Sequence, residues 1–415
     1  MSREGYKMTE LGEIPIEWEV KPIREVAEVN PESLGSKTDK DFIINYIDIE
    51  SVSTGKISNI KELSFGEAPS RARRKVRKDD VIISTVRPYL KAFTLIKSNT
   101  ENLVCSTGFA VLRAKNNNLP QYIYQCTLSD SFLNQLSNKM VGSNYPAVNS
   151  SDVQETLIPI PPLLEQKKIA DILSTVDKQI EQTDALIEKT KQLKKGLMQR
   201  LLTKGIGHTE FKDTEIGTIP KEWEVVKLGE VVEIVNGATP STKVEKYWVN
   251  GSIPWATPSD ITSNGKYISA TEKYITEDGL KNSSMTLLPS GSILMTSRAT
   301  IGEKCINTLP MATNQGFKSM ICSERIQNEF LYYMIDLVKI DFIKLASGST
   351  FLEISKKDIE LYKILLPPIQ EQIYIANILC QVDKNIELCA DKKESLQKLK
   401  NALLQKLLTG KIRVY

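Results

Sequence analysis

A chain of 415 residues is too long for one ordinary domain, so two or three are expected. Hydrophobic residues at 41% and charged residues at 25% are normal for a globular protein, and no run of roughly eighteen apolar residues offers a membrane span. The net charge of +3 does not by itself indicate nucleic acid, so any such surface has to come from local charge asymmetry.

In chain order, residues 1–7 are polar and lack the apolar stretch of a signal peptide. A leading motif follows, Thr9-Glu10-Leu11-Gly12-Glu13-Ile14-Pro15-Ile16-Glu17-Trp18-Glu19-Val20. Residues 42–49, 80–85 and 109–112 are β-branched or aromatic runs bounded by turn residues, which predicts short strands. A helix is expected over 119–136. After Pro161-Pro162, residues 163–202 contain no proline and one glycine, Gly196. Ile169, Ile172, Leu173, Val176, Ile180, Leu186, Ile187, Leu193, Leu197 and Leu201 recur there at helical spacing. Proline suits the head of a helix, and Gly205 supplies a stop.

Beyond a short linker carrying His208, the leading motif returns as Thr214-Glu215-Ile216-Gly217-Thr218-Ile219-Pro220-Lys221-Glu222-Trp223-Glu224-Val225. Strands are expected at 292–296 and 318–321, and a helix at 328–344. Pro367-Pro368 opens a second long helical stretch, with Ile375, Ile378, Leu379, Val382, Ile386, Leu396, Leu399, Leu403 and Leu407 on one face and Gly410 as its stop. A helix of about 40 residues spans roughly 60 Å and cannot bury such a stripe alone. The two stripes therefore imply an intramolecular coiled coil, which an antiparallel pairing would flank with one globule at each end.

The chain is thus two copies of one module. The copies match at the leading motif and at the helix heads, Pro161-Pro162-Leu163-Leu164-Glu165-Gln166 and Pro367-Pro368-Ile369-Gln370-Glu371-Gln372. Between these they diverge, and only landmarks such as Gly108-Phe109 with Gly316-Phe317 survive. A shared frame around a variable middle suits one common partner and two different ligands. The expected class is α+β: two mixed α/β domains separated by two long antiparallel helices. The boundaries are 1–160, a helix at 161–206, a linker at 207–213, 214–366, and a helix at 367–412.

The doubled pattern of Pro-Pro, two residues, Glu-Gln, two residues, Ile-Ala, one residue, Ile-Leu resembles the specificity subunit of type I restriction-modification systems, and so does the doubled Gly-x-Ile-Pro-x-x-Trp-Glu-Val. The resemblance covers essentially the whole chain. It implies that each middle is a target-recognition domain reading one half of a bipartite site in double-stranded DNA. The helices would be a spacer and the docking surface for two methyltransferase subunits, with motor-nuclease restriction subunits joining through that core. S-adenosylmethionine, ATP and magnesium would be used by those partners, leaving this chain without a cofactor. A stand-alone DNA-binding or decoy protein of the same fold is the alternative. A scaffold without nucleic acid would explain the helices but not the divergent middles.

The residues themselves also argue against catalysis. His208 is the single histidine, and no phosphate-binding or dinucleotide-binding glycine loop is present. Asn30-Pro31 is followed by Glu32, so it fails as a methyltransferase loop. The six cysteines lack any Cys-x-x-Cys pair, which points to a reducing, cytoplasmic setting rather than a zinc or disulfide framework.

The candidate DNA contacts begin with the basic run Arg71, Arg73, Arg74, Lys75, Arg77 and Lys78, whose plainer reading is a solvated turn. Arg87, with Lys91 nearby, and Arg298 each follow a Ser/Thr-rich strand end at nearly the same place, and arginine suits bidentate guanine contacts. Asn314 and Gln315 suit adenine. Gly142-Ser143-Asn144-Tyr145 and Ser347-Gly348-Ser349-Thr350 allow close approach to a backbone. Trp18 and Trp223 read as core anchors. Glu165, Gln166, Glu371 and Gln372 are the candidate partner contacts, with complementation of the helix N-terminus as the simpler role.

Overall fold

The computed structural model describes residues 3–115, 117–142, 144–298, 300–347 and 352–415. It divides into two compact units: Met1–Ala185 with Cys389–Tyr415, and Leu186–Leu388. The division falls inside each long helix, so the end of the chain belongs to the first unit.

In unit 1, Glu19–Pro22 pairs antiparallel with Leu157–Ile160, which runs through Pro161-Pro162 into the first long helix, Leu163–Lys204. This pairing brings the leading motif to the helix head. One sheet has the order Phe93–Leu95, Val81–Ser84, Phe109–Ala114, Ala27–Val29, all antiparallel. A second has the order Lys61–Ser64, Ile43–Ile47, Leu103–Ser106, Ala72–Lys75. Successive side chains of a strand face opposite ways. Val81, Ile83, Ala110 and Leu112 accordingly join one core with Trp18, Tyr122 and Phe132. Ile82, Phe109 and Val111 join another with Ile47 and Leu103. Burial on both faces explains why these strands read as continuous apolar runs.

Unit 2 repeats the scheme. Glu224–Lys227 pairs with Lys363–Leu366 and leads into the second long helix, Ile369–Leu407. Its main sheet runs Val232–Asn236, Lys318–Cys322, Ile293–Met295, Lys304–Asn307, Tyr267–Ile268. Ile293 and Met295 face a core with Trp223 and the helix Asn328–Leu345, and Leu294 faces the other side.

The long helices pair antiparallel inside each unit. In unit 1, Lys400 meets Asp177 and Lys393 meets Asp184, both at 2.5 Å, so later residues of one helix meet earlier residues of the other. In unit 2, Lys194 meets Asp383 at 2.6 Å. Ile169, Ala170 and Leu173 share a core with Leu404, Leu407 and Leu408, and Leu201 and Leu202 share one with Ile375, Ala376 and Leu379.

The structure departs from the expectations in three places. The stripe is not buried throughout, since Leu186 is 51% and Leu193 56% exposed. The helix expected over 119–136 is two, Pro120–Thr127 and Asp130–Ser137. Ser129 divides them, its hydroxyl accepting from the Phe132 N–H at 3.2 Å, the usual role of serine at a helix start. The basic run is only in part a solvated turn: Ala72–Lys75 is an edge strand paired with Leu103–Ser106, while Arg71 and Lys78 lie in exposed turns.

Candidate nucleic-acid interface

Beyond the strand Val81–Ser84, Thr85 N–H donates to the Gly108 carbonyl at 2.8 Å, and Val86 bridges to Ala147. The chain then turns sharply. Arg87 and Lys91 both hold left-handed backbone, at φ 48° and 52°, on either side of the short helical turn Pro88–Leu90. That conformation is uncommon outside glycine and concentrates where function holds strain in place. The Arg87 guanidinium stacks on Tyr145 at 4.9 Å and donates to the Asn144 carbonyl at 3.0 Å. Tyr145 is 72% exposed, and Tyr89 and Leu90 of the turn are also open to solvent. Lys91 is drawn back, donating to the Leu128 carbonyl at 3.3 Å. Sequence reasoning misses Tyr89 and Leu90, although they carry a signal, an aromatic-aliphatic pair directly after a proline.

In unit 2, Ser297 N–H donates to the Gly316 carbonyl and Ile354 N–H to the Ser297 carbonyl, as Val148 N–H does to Thr85. This register sets Arg298 at the place of Val86, one step from that of Arg87. Arg298 bridges to Glu353, and its Nε donates to Glu353 Oε2 at 2.8 Å. Lys318 donates to the other oxygen at 3.1 Å. Partial burial pushes the Glu353 carboxyl up, but these two cations outweigh it and hold it below its usual range. Asn314 Oδ1 accepts from Gly316 N–H at 2.8 Å, which closes its own turn, while Gln315 is exposed and accepts from the Thr239 hydroxyl. Ser143, Ser349 and Thr350 lie outside the described residues.

Part of the basic run is drawn to one carboxylate within unit 1. Glu32 accepts from Arg113 at 2.6 Å, pairs with Lys75 at 3.4 Å and pairs with Arg77. The Arg113 hydrogen bond is the main reason the Glu32 carboxyl lies below its ordinary range. Arg113 also holds Asp80 through two hydrogen bonds, at 2.9 and 2.8 Å. Arg73 lies over the Phe65 ring at 4.5 Å. Arg71 and Lys78 are exposed, with no side-chain hydrogen bond or ion pair among the described residues. Arg74 is half-buried, Nη2 reaches Ser150 Oγ at 3.4 Å, and Nη1 is buried without an acceptor. Burial lowers its guanidinium from the ordinary value, and no carboxylate offsets that cost.

The four candidate partner contacts each make hydrogen bonds within the fold. Glu165 is 4% exposed and accepts from Trp18 Nε1 at 2.9 Å and Arg413 Nε at 2.8 Å. Glu371 accepts from Trp223 Nε1 and His208 Nε2 at 2.8 Å each, and from Ile206 N–H at 2.9 Å. Gln166 Oε1 accepts from Leu119 N–H and Gln372 Oε1 from Gln327 N–H, while each Nε2 donates to the carbonyl of the proline before its helix. Side chains with their hydrogen bonds filled inside the fold have little to offer a docking surface. Their recurrence is explained by the carboxylate-tryptophan lock that fastens each leading motif to its helix head. Trp18 and Trp223 are fully buried, as expected of core anchors. Among the described residues no His, Cys, Asp and Glu side chains cluster in a way that could hold a metal ion.

The comparisons with known proteins agree with this doubled architecture. The family model for the type I restriction modification DNA specificity domain matches twice, at residues 15–192 and 220–398. The putative type I restriction enzyme MjaX specificity subunit of Methanocaldococcus jannaschii is 32% identical over 99% of this chain and 97% of its own length. The EcoR124I/EcoR124II specificity subunit of Escherichia coli is 30% identical over 65% of this chain and 64% of its own. A chain from a solved structure concerned with assembly and conformational transition of the type I R-M system superposes with a TM-score of 0.63 at 28% identity, covering 96% of this chain and 99% of that one. The S subunit from M. genitalium shares the fold, with a TM-score of 0.58 at 16% identity over 98% of this chain and 99% of that one. With the family model matched over most of its length, once in each half, the chain belongs to the type I restriction modification DNA specificity family.

Proposed function

We propose that this chain is the DNA-reading subunit of a type I restriction-modification enzyme, and that its two halves read the two parts of an interrupted, asymmetric site in double-stranded DNA. The target-recognition domains lie within residues 1–160 and 214–366. One observation carries the reading: equivalent strand ends present different side chains. Unit 1 offers Arg87 stacked on exposed Tyr145, beside exposed Tyr89 and Leu90, where unit 2 offers Arg298 braced on Glu353. A braced arginine keeps a fixed fork, which suits base edges in the major groove. Identical readers would instead favour a palindrome.

The chain itself is non-catalytic in this reading. Two methyltransferase subunits supply S-adenosylmethionine chemistry, and restriction subunits using ATP and magnesium join through them in the cytoplasm. With the Glu-Gln pairs turned inward, docking falls to solvent-facing helix residues such as Leu164, 79% exposed, and Tyr374, 62% exposed. A native-mass measurement should find two methyltransferase subunits per chain; one at saturation contradicts the doubled docking.

Methylation-sensitive sequencing of DNA from cells carrying this chain with its methyltransferase tests the function. The expected result is one asymmetric motif with an unread gap. An uninterrupted palindrome, or no motif, overturns it.

A further inference from the structure

The helix Asn328–Leu345 and the second long helix enclose a lysine-thiol pair in unit 2 that DNA reading does not use. Lys266, just before the strand Tyr267–Ile268, donates from Nζ to Cys380 Sγ at 2.7 Å. This is much closer than the 3.5 and 3.6 Å at which Glu329 and Tyr333 meet the same sulfur. The ammonium is 3.5 Å from Glu329 Oε1, and the rings of Tyr267, Tyr332 and Tyr333 surround it at 5.2, 5.4 and 4.8 Å. The lysine side chain is only 11% exposed, so the cage fixes the nitrogen against the sulfur. Cys380 is half-buried.

The pair is peculiar to this unit. Gln125 of unit 1 donates to Asp177 as Tyr333 donates to Asp383, which aligns the two niches, and Ser174 then stands at the place of Cys380. Other thiols are poor competitors. Burial pushes those of Cys105, Cys126 and Cys322 up to about 12 and that of Cys305 to about 11, which keeps them protonated and unreactive near neutrality. Cys389, on the same helix, serves as an internal control because it carries no lysine contact of this kind among the described residues.

We propose that Lys266 and Cys380 form a reducible covalent sulfur–nitrogen link when the protein meets hydrogen peroxide. The sulfur attacks one peroxide oxygen, the O–O bond breaks, the thiol proton leaves with the departing hydroxide as water, and Cys380 becomes a sulfenic acid. Lys266 then passes a proton to Glu329 or to solvent. Its nitrogen lone pair attacks the sulfur, the S–O bond breaks, and hydroxide leaves as a second water with the remaining transferred proton. One peroxide is reduced to two waters, and the thiol and amine together lose two hydrogens. A thiol restores both groups by exchange at the sulfur. The link fastens the segment ahead of Tyr267–Ile268, in the variable part of unit 2, to its long helix.

The test is peroxide treatment of the full-length chain followed by peptide mapping without reductant. The expected product joins the peptides containing Lys266 and Cys380, is lighter by two hydrogens than their sum, and disappears with dithiothreitol. Lys266→Arg, which keeps the cation, should abolish the link and leave a Cys380 sulfenic acid that a cyclic dione reagent captures; Cys380→Ser should abolish both products. Recovery of oxidised wild-type chain with Lys266 unlinked, and Cys380 present only as sulfinic acid or in a disulfide, would overturn the proposal. So would a link that retains an added oxygen.

Discussion

Units 1 and 2 are held together by the same interactions and differ in what they present. In each, a buried tryptophan of the leading motif donates to the glutamate at the helix head, and a glutamine one residue on clasps the chain before a second helix. In each, a polar side chain of that helix donates to an aspartate that also meets a lysine of the antiparallel strand of the coil, Gln125, Asp177 and Lys400 in one, Tyr333, Asp383 and Lys194 in the other. The strand-end loops share none of this. The tryptophan, glutamate and glutamine that repeat between the halves thus have their partners inside the fold, whereas the strand-end side chains Arg87 and Tyr145 that diverge face solvent. A further difference inside the frame is the side chain that meets the glutamate from the chain's end or linker, Arg413 in unit 1 and His208 in unit 2.

The largest effects should come from the shared frame and be equal in both halves. Trp18→Ala and Trp223→Ala each remove a fully buried side chain and should each cost about 3–5 kcal/mol, read by chemical denaturation. A loss in one half alone would mean the two locks are not equivalent.

Next comes the difference in that partner of the glutamate. Arg413→Ala leaves Glu165, 4% exposed, without its cationic partner and should cost about 3 kcal/mol. His208→Ala leaves Glu371 with Trp223 and the Ile206 N–H, so about 1 kcal/mol is expected. Hydrogen exchange at each helix head separates the two, and equal costs would contradict the assignment.

The smallest effects concern the basic run. Lys75→Ala and Arg77→Ala remove partners of Glu32 and should leave DNA affinity within about twofold, since both side chains are already drawn to that carboxylate. Arg71→Ala and Lys78→Ala remove open cations, and for each phosphate no longer neutralised the salt slope of binding should fall by about 0.9. Filter-binding titrations over a range of salt would check both pairs.

The helices, the repeat and the central strands were legible in the sequence because periodicity is local. Val81–Ser84 and Lys318–Cys322 fall within a residue or two of the expected bounds. The break at Ser129 was legible too, since Ser129-Asp130-Ser131 is a capping pattern, but the apolar spacing on either side masked it. The site was less legible. Glu32 lies far along the chain from Arg77 and Arg113, so the pairing of Lys75 and Arg77 within the basic run could not be read locally. The Glu-Gln pairs looked like docking residues because they recur on a helix head, and their hydrogen-bond partners, Leu119, Gln327 and Arg413 among them, are also distant in sequence. Recurrence marked importance without saying whether it faced inward or outward.

The central claim is that the matched frames carry independent readers. The most direct measurement is the methylated motif produced by Arg87→Ala and by Arg298→Ala in otherwise wild-type chains. A good bidentate contact contributes about 1–3 kcal/mol of base discrimination. Arg87→Ala should relax bases in one half of the motif, Arg298→Ala bases in the other, and the unread gap should stay unchanged. Relaxation of both halves by either substitution, or weaker methylation with the motif intact, would contradict the account.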